Sequence, residues 1–173
     1  MQTQLMVMLE LQDAMNTRVH DNWRAQNFEW YRAIWVECAE LLDHHGWKWW
    51  KHQSPDIEQV KLELIDIWHF GLSILLLRRE SPLVIIMELE ESFGTRKSDD
   101  FRELLESFVE FTLTEKDFSI PLFVALMESI NMTFKDLYCG YVGKNVLNFF
   151  RQDHGYKEGA DDQALLRQVL NIR

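Results

Sequence analysis

Two acidic pairs stand where a helix ought to bury an apolar face. In 34-IWVECAELLDHH-45, Glu37 and Glu40 lie three residues apart among Ile, Trp, Val, Cys, Ala and Leu, and in 60-VKLELIDIWHF-70, Glu63 and Asp66 repeat that spacing among Leu, Ile, Trp and Phe. Residues at i and i+3 share one side of a helix. A carboxylate in apolar surroundings needs a partner or a shifted pKa. The connection HGWKWWKHQSP is short and favours antiparallel packing of the two helices, and if their acidic faces meet, the four carboxylates converge. Uncompensated, they oppose folding. Divalent cations resolve the conflict, and a donor set made of oxygen alone points to a hard ion, Mg²⁺. The alternative is a pair of solvated helix faces with ordinary salt bridges, but such faces come with Lys and Gln neighbours rather than large apolar ones.

The rest of the chain also reads as helix. Seven glycines and three prolines punctuate 173 residues, and no sustained period-2 alternation is present. The fold class is therefore all-α, an antiparallel helical bundle carrying an acidic metal site, and residues 1–173 are expected to form a single domain. Helices are predicted over Gln4 to Arg18, Glu29 to His45 with a stop at Gly46, and from Ser54 as N-cap with Pro55 in the first position to Arg78. Shorter ones are predicted over Leu83 to Glu91, Asp100 to Phe111 and Ile120 to Asn131. A last long helix starts near Thr133, with Asp136 completing a capping box, and stops before Gly155.

Charge and composition narrow the partners. A formal charge of -10 argues against broad nucleic-acid binding, which needs a basic surface. A small polyanion remains compatible, provided that local cations or carboxylate-held metal receive it. The apolar run Phe70 to Leu77 is too short to cross a bilayer, and MQTQLMVMLELQD has no basic n-region, so no membrane association is expected. Cys38 and Cys139 have no disulfide or zinc spacing, which fits a reducing cytoplasm.

A third constellation concerns polyphosphate. In 141-YVGKNVLNFFRQDHGYKEG-159, Lys144, Asn148 and Arg151 fall at i, i+4 and i+7 on one helical stripe, with Tyr156 and Lys157 just beyond. Arg grips phosphate oxygens bidentately and Lys neutralises charge at a point. The same stripe equally describes an exposed basic face near a helix C-terminus.

Taken in order, ECAELLD, GWKWWK, ELIDIWHF and YVGKNVLNFFRQDHGYKEG resemble the dimeric all-α dUTPases of the all-α nucleoside triphosphate pyrophosphohydrolase superfamily. The resemblance covers the N-terminal third and Tyr138 to Gly159, and leaves the middle from about Arg79 to Met132 without a counterpart. It implies a homodimer that uses Mg²⁺ to hydrolyse dUTP, and commonly dUDP, to dUMP. Its metal-site carboxylates fall on Glu37, Glu40, Glu63 and Asp66, its phosphate contacts on Lys144, Asn148 and Arg151, then Tyr156 and Lys157, and its uracil-contacting amides on Gln12 and Asn16. The chemistry calls for one glutamate to accept the proton of the attacking water, a role assigned to Glu37 with Glu40 as the alternative. His69 is within reach of the site, although a helical His beside Trp68 and Phe70 is more often a satisfied core residue. Trp47 can stack on a base or pack at an interface, and Lys48 adds positive charge beside it. A dCTP-acting or broader pyrophosphohydrolase, and a helical interaction protein without enzymatic activity, are the competing functions.

Overall fold

The computed structural model describes residues 1–78, 81–94 and 100–153. Seven α-helices and no strand occur among them: α1 (Gln2–Val19), α2 (Trp30–His45), α3 (Ile57–Arg78), α4 (Pro82–Ser92), α5 (Phe101–Glu115), α6 (Ile120–Ser129) and α7 (Phe134–Asp153). A short 3₁₀ turn, Trp23–Ala25, lies between α1 and α2 and is absent from the sequence expectation.

Caps explain most of the boundaries. Ser81 and Ser119 accept from backbone N–H groups of the first turns of α4 and α6, each beside a proline. Asp100 does the same for α5. At α7 the capping box forms as expected, with Thr133 N donating to Asp136 Oδ2 at 2.9 Å and Asp136 N donating to Thr133 Oγ1 at 3.2 Å. The expected cap of α3 needs correction. The helix starts at Ile57, Asp56 Oδ1 accepts from Gln59 N at 3.2 Å, and Ser54 and Pro55 remain in the connection. Asp56 wins because its backbone N–H also binds His44 O at 3.0 Å, which ties the α3 start to the α2 end. Helix α2 stops at Gly46, whose φ of +92° favours a residue without Cβ. The connector expected from Thr112 begins later, because α5 runs on to Glu115 before Lys116 turns left-handed at φ +54°.

Helix α3 is buried around most of its circumference, from Val60 to Leu75, and is the element on which the others pack. Buried side chains from all seven helices join one hydrophobic cluster. His44, late in α2, sits 3.5 Å from Glu63, early in α3, while the earlier Glu37 reaches the later Asp66, so α2 and α3 run antiparallel. Helix α7 crosses α3 where Gly140 meets Ile65. A Cβ on Gly140 would fall 2.3 Å from Ile65 Cδ1.

Gly71 makes the equivalent close approach deeper in the core, where a Cβ would fall 2.6 Å from the ring of the buried Phe118. That ring also packs on Trp68, Phe108 and Phe123 and has little room to move. Gly71→Ala is expected to destabilise the fold by about 1–3 kcal/mol despite the better helix propensity of alanine, as overpacking does. Chemical denaturation measures this, and a stabilised variant contradicts it.

Candidate active site

The antiparallel α2–α3 pair brings the acidic residues together. Carboxylate oxygens of Glu37, Glu63 and Asp66 lie within 4.8 Å of one another. Glu40 is exposed and stays outside this trio. It is still close enough to push up Glu37, Glu63 and Asp66 through its charge. Lys144 reaches across from α7 and forms an ion pair with Asp66. The residue expected at the phosphates thus occupies the edge of the acidic cluster.

Beside the cluster opens a cleft of about 310 Å³ between α1, α3 and α7. Gln12, Asn16, His69, Asn148 and Arg151 all line it, and Asp66 belongs to both cleft and cluster. Asn148 accepts from Arg151 Nη1 at 3.4 Å, so the two residues of the α7 stripe arrive as a connected pair. Trp47 and Lys48 are elsewhere. They lie in the α2–α3 connection, where both their backbone N–H groups donate to Gln53 Oε1 and both side chains reach Asp43. Tyr156 and Lys157 fall outside the described residues.

One wall of the cleft is aromatic and went unread in the sequence. Trp23, Phe28, Trp30 and Phe70 line it. Trp30 packs edge-on against Trp23 at 6.1 Å and Phe28 at 5.6 Å, and tilts over Phe70 at 6.2 Å. Asp13 anchors the wall by accepting from Trp23 Nε1 at 3.1 Å and Arg24 Nη1 at 2.8 Å. Only the density of aromatic residues in WRAQNFEWYR hinted at it, since Trp23 comes from a 3₁₀ turn and Phe28 from a loop, neither of which has helical periodicity, while Trp30 opens α2 and Phe70 lies in α3.

Comparison with known families settles what this arrangement belongs to: the family described as dUTPase matches residues 4–156. The chain is a member of the all-α dUTPase family. The match spans the middle of the chain as well, including the residues of α4 to α6. Comparison with curated proteins finds no match. As a dUTPase the chain is an enzyme, a dUTP diphosphatase acting on a nucleotide, and the family implies a divalent metal. Among the described residues no helix is long and apolar enough to cross a membrane.

The electrostatics fit such an ion. Burial, followed by the charges of Asp66, Glu40 and Glu63, pushes Glu37 up from 4.5 to about 7, with Lys144 opposing. Glu63 and Asp66 are raised as well, both chiefly by burial. Three close carboxylates that all resist ionisation, in an all-oxygen donor set, are what a hard divalent cation relieves.

A pH dependence follows for the dUTPase in chelator. Between pH 4.5 and about 7 the unfolded chain releases a proton that folded Glu37 retains, so the unfolded state binds fewer protons and stability falls as pH rises. The melting temperature should decline across that window, and more gently in Glu37→Gln. Equal slopes in the two proteins contradict the assignment.

Proposed function

We propose that this dUTPase uses Mg²⁺ to hydrolyse dUTP to dUMP and pyrophosphate, accepts dUDP as well, and works as a homodimer in the cytoplasm. The observation that carries this reading is the sharing of Asp66 between a three-carboxylate cluster and a cleft with one aromatic and one amide-bearing wall. A nucleotide bridging the two places its base against Trp30 and Phe70 and its phosphates at the cluster edge. Aromatic exposure supports the homodimer, with Trp49 90% exposed and Trp35 and Val36 exposed beside Glu37.

Phosphoryl chemistry requires positioning and charge neutralisation more than covalent help. Glu63 and Asp66, with Glu40 nearby, would hold the ion, which supplies counter-charge to the phosphates and acidifies water. Glu37 takes the proton of the attacking water from its place beside Glu63 and Asp66. The water oxygen bonds to the α-phosphorus, the bridging P–O bond to the β-phosphate breaks, and pyrophosphate leaves. Arg151 and Asn148 orient the phosphates from α7. Lys144 neutralises Asp66 at the edge of the cluster.

Product analysis with dUTP, dUDP, dCTP and dTTP in Mg²⁺ tests the reading. Pyrophosphate from dUTP and phosphate from dUDP are expected, with kcat/KM for dUTP at least ~10³-fold above those for dCTP and dTTP, the scale of a site that hydrogen-bonds one base and leaves its polar groups unpaired with another. Comparable dCTP turnover moves the enzyme to the dual-specificity alternative.

A further inference from the structure

Helices α2 and α5 are antiparallel neighbours fastened at both ends. His45, the last residue of α2, stacks on Phe101, the first of α5, with ring centroids 4.2 Å apart, and Arg102 Nε donates to Gly46 O at 2.9 Å. At the other end Lys116 Nζ lies 5.8 Å from the ring of Tyr31. Between these fastenings the helices enclose a groove of about 360 Å³ with Trp35, Cys38 and Leu42 on one side and Leu105 and Val109 on the other. Glu106 and Glu110, both exposed, complete the α5 side. By helical spacing, Trp35, Cys38 and Leu42 stand on the opposite side of α2 from Glu37 and Glu40, so the groove lies behind the acidic cluster.

The lining dictates what fits. Trp35 keeps 48% of its surface exposed against an apolar groove, which favours an apolar occupant. Glu106 and Glu110 stand at i, i+4 on α5, a like-charge pair that weakens the helix until a cation reaches it. An apolar stripe edged by a cation is the complement, and the chain carries one. In 161-DDQALLRQVLNIR-173, which lies outside the described residues, Leu165, Val169 and Ile172 recur at i, i+4 and i+7, Leu166 and Leu170 extend the same face, and Arg167 falls at its edge. This run lies past residue 156, where the family match ends. It is also within reach. Helix α7 ends at Asp153, and Gln152 lines the same cleft as Trp30, the first residue of α2, with Trp35 less than two turns further along. Residues 154–164, fully extended, span up to about 36 Å.

We propose that residues 161–173 of this chain dock in the α2–α5 groove as an amphipathic helix, with Leu165, Val169 and Ile172 against Trp35, Leu42, Leu105 and Val109, and Arg167 against Glu106 and Glu110. The mode is a helix laid into a groove between two others, read through anchors at i, i+4 and i+7. Groove and occupant are tethered by a short connection, so the effective concentration of this segment exceeds that of any free competitor. The docked helix braces α2 from behind, on the side away from Glu37 and Glu40, and ties the end of α7 to the helix that carries them. The inference goes beyond the catalytic reading and does not depend on it.

Hydrogen exchange read by mass spectrometry on the full chain tests this. Amides of residues 161–173 should exchange at least about tenfold more slowly than those of an unstructured peptide of the same sequence. Val169→Asp, which puts a charge on the apolar stripe, should abolish that protection. Glu106→Lys/Glu110→Lys should weaken it, and adding Arg167→Glu to that double variant should restore it, because the charges then match with their signs exchanged. All the groove residues changed here are exposed, so the fold itself is expected to persist. Exchange at the unstructured rate in the unmodified chain overturns the proposal, as does protection that both Val169→Asp and Glu106→Lys/Glu110→Lys leave unchanged. A second measurement fixes the occupant. In a chain carrying Cys139→Ser, Glu110→Cys and Arg167→Cys, mild oxidation should join the two introduced thiols within one chain, while Cys38 stays buried. A link formed only between two chains gives the groove to a second copy and overturns the assignment, and so does the absence of any link.

Discussion

Glu37→Gln is expected to lower kcat for dUTP by at least about 100-fold, the scale of losing a general base or a metal ligand. The substitution keeps shape and removes one charge from a cluster whose oxygens lie within 4.8 Å. Its effect on stability should have the opposite sign. Above pH 7 an ionised Glu37 repels Asp66, Glu40 and Glu63, so the chelated variant should melt above the chelated unmodified enzyme. A defect in folding gives loss of activity and loss of stability together. Gaining one while losing the other marks a residue held in place for chemistry.

Arg151→Ala should reduce kcat/KM for dUTP by roughly 100-fold while barely moving the melting temperature. Arg151 stands in the last turn of α7, half-buried at the cleft rim, and its charge reaches Asp66 from there. The guanidinium contributes most when three phosphates arrive beside carboxylates. Lost stability with kinetics preserved in the folded fraction would assign Arg151 to the fold instead.

The acidic site was legible because its signal is local and contradictory. Charges embedded in 34-IWVECAELLDHH-45 and 60-VKLELIDIWHF-70 violate the apolar pattern that otherwise makes α2 and α3 easy to read. What the sequence could not convey is distance. Glu40 has the same credentials as Glu37, yet one lies half-buried in the trio and the other is exposed outside it. Lys144 was legible as a cation of the α7 stripe, but its pairing with Asp66 spans helices and follows from the α3–α7 crossing at Gly140. The same limit applied to Gln12 and Asn16. Their i,i+4 spacing marked a polar face, and only the packing of α1 against α3 and α7 reveals that Ser73, His69 and Tyr141 occupy much of their hydrogen-bonding capacity. The aromatic wall was least legible, because Trp23 and Phe28 lie outside regular helix and have no periodicity to read.

The central claim is that carboxylates of α2 and α3 hold the divalent ion on which dUTP hydrolysis depends. It is tested most directly by following pyrophosphate release from dUTP in enzyme freed of metal by chelation, as Mg²⁺ is titrated back, for the unmodified chain and for Glu63→Gln/Asp66→Asn. The account predicts no turnover before Mg²⁺, full recovery in the unmodified chain, and at least ~100-fold lower kcat in the double variant at saturating Mg²⁺. Undiminished turnover in chelator, or equal recovery by both proteins, contradicts it.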